Sequence, residues 1–329
     1  MGEFELLAKL RERLPQDGPR VKLGSGDDAA VTVPGGATAT SVDAIVEGVH
    51  FRRDESGLET IGRKALATAL SDLAAMGAEA GEAYVVLGAP PDLGEDDFLA
   101  LLDGLLAMAA ETGTTLAGGD VTRAPALTLA VTVVGHAATP GELVPRGGAE
   151  PGDLLVVTGE LGAAAAGRLL LDDPALASAV SETVADRLRA RQLDPAPRLH
   201  AGRALAAAGA RAMIDLSDGL AGDAGHIARA SGASLRIEAG SLPLAEGVAE
   251  IAVAAAQDPL QLAVGGGEDY ELLAALPPAS AEEASNRLGE AAETMLTPIG
   301  EVRLGAGVEI RLPGGELLEV RAYDHFAEP

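Results

Sequence analysis

The sequence predicts a protein of mixed α and β structure, of the α/β (α+β) class, that folds as two domains. Its 329 residues exceed the roughly 250–300 residues that one hydrophobic core usually organises. Segments with strand-like apolar patterns alternate with segments whose apolar residues recur at helical spacing. A stretch rich in Gly and Pro, residues 139–152, is typical of a linker. We therefore expect one domain over residues 1–138 and a second over residues 153–329.

The first domain is predicted to begin with an amphipathic helix over residues 3–14 and to continue with strands and helices. Gly77 and Gly113 directly follow two later helices, as glycine often does at a helix C-terminus. The predicted strands cover residues 29–33, 38–46, 84–87, 115–117 and 127–135, and the later helices cover 57–76 and 95–112.

The second domain shows the same alternation of short apolar strands and alanine-rich helices. The segment around Glu268 places a glycine turn directly before one further strand. Other predicted strands cover residues 154–157, 212–216 and 234–239, and predicted helices cover 161–171, 178–191, 198–208 and 218–230.

The composition limits the classes of function. A formal net charge of −26 argues against nucleic acid and anionic membranes as partners, because both need a positive surface. The chain has no cysteine, which excludes disulfides, thiolate zinc sites and a cysteine nucleophile. The start of the sequence is charged and lacks an apolar leader, and no run of about 18 apolar residues occurs, so we expect a cytoplasmic protein.

Aspartates recur in short motifs at points where a strand or helix pattern breaks. The motifs are GSGDDAAV with Asp27 and Asp28, SVDAIVEGVHF with Asp43, GGDVTRAP with Asp120, and IDLSDGL with Asp215 and Asp218. Asp72 differs, because it falls on or beside the apolar stripe of a predicted helix, where a lone carboxylate would be costly. Mg²⁺ ions that hold a polyphosphate would balance such charges, since Mg²⁺ bridges carboxylates to substrate phosphates.

Each aspartate also has an ordinary structural interpretation. Aspartate beside glycine most often forms a turn or caps a helix, and we interpret Asp27, Asp153 and Asp223 in this way. Asp43 fits that interpretation poorly, since it is predicted to end a strand of apolar and small residues. Metal ligation is favoured for four carboxylates, those of Asp28, Asp43, Asp72 and Asp120.

Other motifs carry weaker signals. Gly24, Gly26 and Ala29 fit the G-x-G-x-x-A form of a dinucleotide site, but that site opens a helix and the following residues are predicted as strand. Walker and protein-kinase motifs are missing. From the sequence alone, His50 is interpreted as a histidine satisfied by its surroundings. Tyr323 either anchors the end of the chain or offers a stacking surface to a flat ligand.

Taken together and in order, the motifs resemble the thiamine-monophosphate kinase family. That family belongs to a superfamily of ATP-using enzymes with aminoimidazole ribonucleotide synthetase, selenophosphate synthetase and a hydrogenase maturation protein. The resemblance runs nearly end to end, and VEGVHF, LSDLAAMGA, and GGEDYEL with a terminal YDHF separate the family from its relatives. The selenophosphate and hydrogenase enzymes use a cysteine or selenocysteine, and this chain has no cysteine.

The resemblance implies a two-domain fold like that of aminoimidazole ribonucleotide synthetase. Its N-terminal mixed sheet would pair across a homodimer, and its C-terminal α/β domain would complete the ATP and substrate sites. The implied reaction is transfer of the ATP γ-phosphoryl group to thiamine monophosphate, giving thiamine diphosphate and ADP as the last step of thiamine diphosphate biosynthesis. ATP would lie in an acidic cleft with several Mg²⁺ ions.

The resemblance also implies roles for individual residues. Three aspartates would act as one catalytic metal-binding unit, namely Asp43, Asp72 and Asp120. The full set of implied Mg²⁺ ligands is Asp28, Ser41, Val42, Asp43, Asp72, Asp120, Asp215 and Asp218. The implied ATP contacts are Gly119, Asp120, Arg146 and Ser217, and the implied contacts of thiamine monophosphate are His50, Glu268 and Tyr323. Val42 departs from the hydroxyl residue often found at its position, so its ligand atom would have to come from the backbone.

Two other functions stay open at this point. The chain could be another ATP-dependent member of the superfamily with a different small substrate, or a metal- or nucleotide-binding regulator without turnover. The chemistry agrees with a kinase, because the acceptor phosphate has a second pKa of about 6 and needs no general base at neutral pH.

Overall fold

A computed structural model describes residues 9, 12–14, 18–24, 29–291 and 294–318. Asp28, Tyr323 and most of the helix predicted over residues 3–14 lie outside these residues. The chain divides into two compact units, the first of residues 1–73 and 78–140 and the second of residues 74–77 and 141–329. Within the described part of the chain, no helix has the length and apolar character needed to span a bilayer.

The first part of the chain forms a two-stranded and a four-stranded sheet. Its elements are β1 (Val21–Leu23), β2 (Val31–Thr32), β3 (Ala37–Val46), α1 (Leu58–Ala75), β4 (Glu79–Ala89), α2 (Glu95–Thr112), β5 (Thr115–Arg123) and β6 (Thr128–Ala137). The four-stranded sheet has the order β3-β6-β4-β5. β6 pairs antiparallel with β3 and β4, whereas β4 and β5 are parallel. The helix α2 connects this parallel pair, as parallel strands require a crossover.

One face of the four-stranded sheet is buried and the other is open. In β6, the buried residues Leu129, Val131 and Val133 alternate with half-buried neighbours. On the opposite face, Val42 of β3 is 66% exposed and Val86 of β4 is 45% exposed. This alternation is typical of a sheet with one covered and one uncovered face.

The helices α1 and α2 approach each other closely through glycine. A side-chain Cβ at Gly62 would lie 2.2 Å from the carbonyl oxygen of Leu101, and one at Gly104 would lie 1.9 Å from that of Glu59. Neither position can therefore hold a larger residue without separating the helices. The apolar stripe predicted for α1 is confirmed, since Ile61, Ala65, Ala69 and Leu73 are buried.

The second unit contains a six-stranded sheet with the order β12-β9-β11-β7-β10-β8. Only β12 and β9 are parallel within this sheet. Its strands are β7 (Leu154–Thr158), β8 (Ala212–Asp215), β9 (Ser234–Glu238), β10 (Leu272–Leu276), β11 (Leu296–Arg303) and β12 (Gly307–Arg311). Its helices are α3 (Ala163–Asp172), α4 (Glu182–Leu193), α5 (Leu199–Ala207), α6 (Leu220–Ser231), α7 (Val248–Ala254), α8 (Pro259–Gly265) and α9 (Ala281–Ala291). All five residues of β10 are buried, so this strand lies in the core of the unit.

Two sequence-based placements are wrong. The strand predicted over residues 38–46 is confirmed by β3, but Asp43 lies inside this strand, three residues before Val46, and does not end it. Asp120 was expected after a strand of residues 115–117, but β5 continues through Gly118 and Gly119 to Arg123. β5 can include these glycines because it lies against β4, where a Cβ at Gly119 would be only 2.1 Å from the Val85 carbonyl oxygen. Glycine here permits close strand packing instead of ending the strand.

Candidate active site

The first unit brings Ser41, Asp43 and Asp72 together on one side of its sheet. Ser41 and Asp43 are two residues apart in β3 and therefore point to the same face. Asp72 lies on α1 and is half-buried, and its Oδ2 accepts a hydrogen bond from the Ser41 hydroxyl. The Oδ1 atom of Asp43 accepts a hydrogen bond of 2.7 Å from the Ala44 N–H. Ser41 and Asp72 thus place hard oxygen donors side by side, and Asp43 lies on the same face of the sheet; oxygen is the type of donor that Mg²⁺ prefers.

Asp120 does not join this group within a single chain. Asp43 is in register with Val131, Val131 with Val85, and Val85 with Gly119. Three strand spacings of roughly 4.8 Å separate the two edge strands, or about 14 Å. Asp120 is one residue beyond Gly119, so its exposed side chain points to the opposite face of the sheet.

The described residues contain no group of three or more His, Cys, Asp or Glu side chains arranged to hold one metal ion. Mg²⁺ commonly retains several waters and binds through one or two carboxylates and substrate phosphates, so a complete protein cage is not needed. The metal-ligand roles of Asp43, Asp72, Asp120, Asp215 and Asp218 stay predictions. Val42 has an exposed side chain without a ligand atom, so it could contribute only its backbone oxygen.

His50 lies in the turn that follows β3, and this turn is anchored at several points. The His50 Nδ1 atom accepts a hydrogen bond of 3.1 Å from the Val46 N–H. Its carbonyl oxygen accepts one of 3.2 Å from Lys64, which is buried in α1. Because Nδ1 is an acceptor, the neutral imidazole carries its proton on Nε2. His50 is therefore fixed as a hydrogen-bond donor, which suits an anionic ligand.

The second unit brings Asp215, Ser217, Asp218 and Glu268 together on two joined loops. Asp215 is buried at the end of β8, and Ser217 and Asp218 follow two and three residues later. The Glu268 N–H donates to the Ser217 carbonyl oxygen at 2.9 Å. A Cβ at Gly267 would lie 2.1 Å from that same oxygen, so only glycine permits the two loops to approach this closely.

Asp223 belongs to this acidic group, although its sequence was interpreted as a turn or a helix cap. It lies in the first turn of α6, is 2% exposed, and accepts a hydrogen bond of 3.1 Å from the Asp218 N–H. Burial, and then the nearby charges of Asp215 and Asp218, raise the pKa of Asp223 to about 8. A signal was available in the sequence, because Leu220, Asp223, Ala224 and Ile227 have the spacing of one buried helix face.

Arg146 lies beside this acidic group. The preceding residue, Pro145, accepts a hydrogen bond of 3.1 Å from the Met213 N–H of β8, which places the Arg146 loop against that strand. The charge of Arg146 lowers the pKa of Asp223, but it only partly offsets the effects of burial and the two aspartates. Arg146 is exposed, so its planar guanidinium group is accessible to a phosphate ligand.

Comparison with known protein families finds a match in each of the two parts of the chain. A family described as "AIR synthase related protein, N-terminal domain" matches residues 26–137, and its counterpart, the C-terminal domain, matches residues 150–312. The chain is therefore an AIR synthase-related protein that contains both domains of this class.

Individual relatives identify a narrower family within this class. The chain is 37% identical over 334 residues to the thiamine-monophosphate kinase of Escherichia coli O157:H7, covering 100% of this chain and 99% of the relative. It is 39% identical over 280 residues to that of Mycobacterium tuberculosis, covering 83% of this chain and 80% of the relative. The chain belongs to the thiamine-monophosphate kinase family, and the resemblance found in the sequence is confirmed.

Solved structures of the same family have a similar fold. The thiamine-monophosphate kinase of Stenotrophomonas maltophilia superposes with a TM-score of 0.83 at 37% identity, covering 97% of this chain and 98% of that chain. A structure described as "AaThiL complexed with AMPPCP and TMP" superposes with a TM-score of 0.77 at 27% identity, covering 99% of this chain and 97% of that chain. The expected two-domain fold, with its mixture of helices and sheets, is therefore confirmed.

Proposed function

We propose that this protein transfers the γ-phosphoryl group of ATP to the phosphate of thiamine monophosphate, releasing ADP and thiamine diphosphate. The observation that carries this proposal is the full-length identity of 37% to a curated thiamine-monophosphate kinase. A related structure that holds AMPPCP, an ATP analogue, together with TMP supports both substrates.

The reaction requires positioning and charge neutralisation more than proton transfer. The acceptor phosphate has a second pKa of about 6, so it is largely ionised at neutral pH and needs no general base. The γ-phosphate of ATP and the acceptor phosphate must be brought within bonding distance. Both are anions, and their mutual repulsion is the main barrier that the protein must lower. The chain adds a net charge of −26, so cations must accompany the substrates.

We propose Mg²⁺ as that cation. Ser41, Asp43 and Asp72 supply the hard oxygen atoms that Mg²⁺ prefers. Burial first, and then the charges of Asp215 and Asp218, raise the pKa of Asp223, and a divalent ion would relieve the part that the two charges cause. When bound, Mg²⁺ would neutralise charge on the transferring phosphoryl group and orient it.

The remaining residues are proposed to hold the two substrates. Arg146 presents a planar fork of donors to the ATP phosphates, a geometry that matches phosphate oxygens. Gly119 and Ser217 would contact the nucleotide. His50, fixed as an Nε2 donor, would bind the anionic end of thiamine monophosphate, and Glu268 would bind its organic part. Tyr323, outside the described residues, is proposed to stack on a ring of thiamine.

We also propose a cytoplasmic homodimer. The open face of the four-stranded sheet carries exposed Val42 and Val86 and would be covered by a second copy of the same sheet. Within one chain Asp120 lies on that open face, away from Asp43. An ATP-dependent kinase needs the ATP of the cytoplasm, which supports that location.

The test is a coupled ADP-release assay with a panel of phosphorylated acceptors and with thiamine itself, in which mass spectrometry identifies each product. We expect ADP release with thiamine monophosphate and a product heavier by one phosphoryl group. Turnover with a different acceptor alone would favour another ATP-dependent enzyme of the superfamily. Binding of Mg²⁺ and ATP without any turnover would favour a regulator.

A further inference from the structure

The segment of residues 266–271, which leads into β10, is held in a strained conformation. Glu268 has φ of 66° and Tyr270 has φ of 50°, and neither is glycine. Such a conformation is unfavourable for a residue other than glycine and persists only where the surroundings impose it. The contacts around this segment therefore determine which way Glu268 points.

Asp269, between the two strained residues, is tied to the N-terminus of α3. It is 4% exposed and accepts hydrogen bonds of 2.7 Å from the Gly162 N–H and 3.1 Å from the Ala164 N–H. These N–H groups lie at the positive end of the helix dipole, which favours a carboxylate. Asp269 thus fixes the middle of the segment.

Glu271 is tied to two arginines. It is 1% exposed, and it accepts hydrogen bonds of 2.9 Å from Arg191, 2.8 Å from Arg198 Nε and 2.7 Å from the Thr158 hydroxyl. A Cβ at Gly159 would lie 2.3 Å from the Glu271 carboxylate, so no residue larger than glycine fits at position 159. Arg191 also donates to the Asp269 carbonyl oxygen at 3.0 Å. This network locks the end of the segment onto α4 and α5.

Gln192, the neighbour of Arg191 on α4, reaches Glu268 itself. It is 4% exposed, and its Nε2 donates a hydrogen bond to the Glu268 Oε2 atom. A carboxylate has two oxygens with about four acceptor sites, so this contact orients Glu268 without exhausting its capacity. The hydrogen bond from the buried Gln192 amide therefore favours one side-chain rotamer of Glu268.

We propose that Gln192 is a positioning residue that aims the Glu268 carboxylate at the acceptor, and that the Glu271 pairs with Arg191 and Arg198 hold the segment in place. This inference rests on the proposed function. An ionised carboxylate repels phosphate, so Glu268 must recognise N–H donors or positive charge. Thiamine offers both, in its amino group and its thiazolium ring. Gln192 would therefore determine specificity for the organic part of the acceptor and not for ATP.

The test compares Gln192→Met with the wild type by steady-state kinetics with both substrates varied. The substitution removes the amide donor and keeps a similar length and volume. We expect the KM of thiamine monophosphate to rise about tenfold, a change of about 1.4 kcal/mol. The KM of ATP and kcat should stay within about twofold. Gln257→Met, at an exposed glutamine of the same unit, is the matched control and should change neither KM.

A double-mutant cycle separates positioning from a general structural role. Glu268→Gln alone should also raise the KM of thiamine monophosphate about tenfold. If Gln192 acts through Glu268, the double variant should be no worse than about twentyfold, whereas independent effects would multiply to about one hundredfold. Independent effects, or equal rises in both KM values together with a lower thermal midpoint, would overturn the inference.

The two proposals fail in different ways. If the wild-type protein releases ADP with thiamine monophosphate and Gln192→Met leaves that KM unchanged, only the role of Gln192 is wrong. If the wild-type protein releases no ADP with this acceptor, the proposed function is wrong and the inference is overturned with it.

Discussion

Asp223→Asn should remove a pH dependence of stability that the buried acidic group of the second unit imposes. The pKa of Asp223 is raised to about 8 by burial and by Asp215 and Asp218. Between pH 4 and pH 8 the native state keeps this proton, whereas the unfolded state has released it. Stability therefore falls as pH rises through this window.

The size of the effect follows from the two pKa values. One pKa unit corresponds to about 1.4 kcal/mol. Between pH 6 and pH 8 the native group is protonated for most of the interval and begins to ionise at its end. Asp223 should therefore lower the free energy of unfolding by about 2 kcal/mol over these two pH units. Asp269, whose pKa burial raises to about 6, acts mainly below this window.

The assay is urea unfolding at pH 6, 7 and 8 in the presence of a chelator, for the wild type and Asp223→Asn. The difference between the two proteins isolates Asp223 from the other titratable groups. Glu250→Gln is the matched control, because Glu250 also lies in the first turn of a helix but is exposed. Added Mg²⁺ should reduce the effect, since a bound cation favours the ionised carboxylates. Parallel pH profiles of the wild type and Asp223→Asn in chelator would refute the reasoning.

Two further changes test the proposed roles of residues in each unit. Asp72→Asn removes a charged oxygen donor beside Ser41 and should lower kcat at least one hundredfold at saturating Mg²⁺, with a thermal midpoint close to that of the wild type. Arg146→Lys keeps the charge but loses the planar fork, so the KM of ATP should rise several-fold in steady-state kinetics while the KM of thiamine monophosphate changes little.

A specific result would contradict each of these two predictions. Near-wild-type kcat for Asp72→Asn would show that its negative charge is not needed for turnover. An unchanged KM of ATP and an unchanged kcat for Arg146→Lys would remove Arg146 from the nucleotide site. Arg203→Lys, at an exposed arginine of α5 that contacts His200, is a control for the loss of a surface guanidinium group.

Local features of the fold could be predicted from the sequence where local chemistry decides them. The helix α2 was predicted at residues 95–112 and has those bounds, because an apolar stripe and the left-handed Gly113, with φ of 70°, define it locally. The helices α7, α8 and α9 and the strands β1, β11 and β12 were not predicted. These elements are short or polar, and contacts that are distant in sequence stabilise them.

Much of the candidate site followed from its motifs, but its arrangement did not. Ser41 and Asp72 were both named, and the structure joins them by a hydrogen bond. The separation of Asp43 from Asp120 depends on strand order and register, which no local pattern gives. Gln192 was missed because its partner, Glu268, is 76 residues away in the sequence. Asp223 was missed because its position beside glycine is typical of a turn, although its helical spacing indicated burial.

The most direct test of the account is the reaction itself. Purified protein with Mg²⁺, ATP and thiamine monophosphate should release one ADP for each thiamine diphosphate formed, as measured by a coupled assay and by mass spectrometry of the product. Asp72→Asn should abolish most of this turnover in the same experiment. Formation of ADP without thiamine diphosphate, or turnover that does not depend on thiamine monophosphate, would contradict the account.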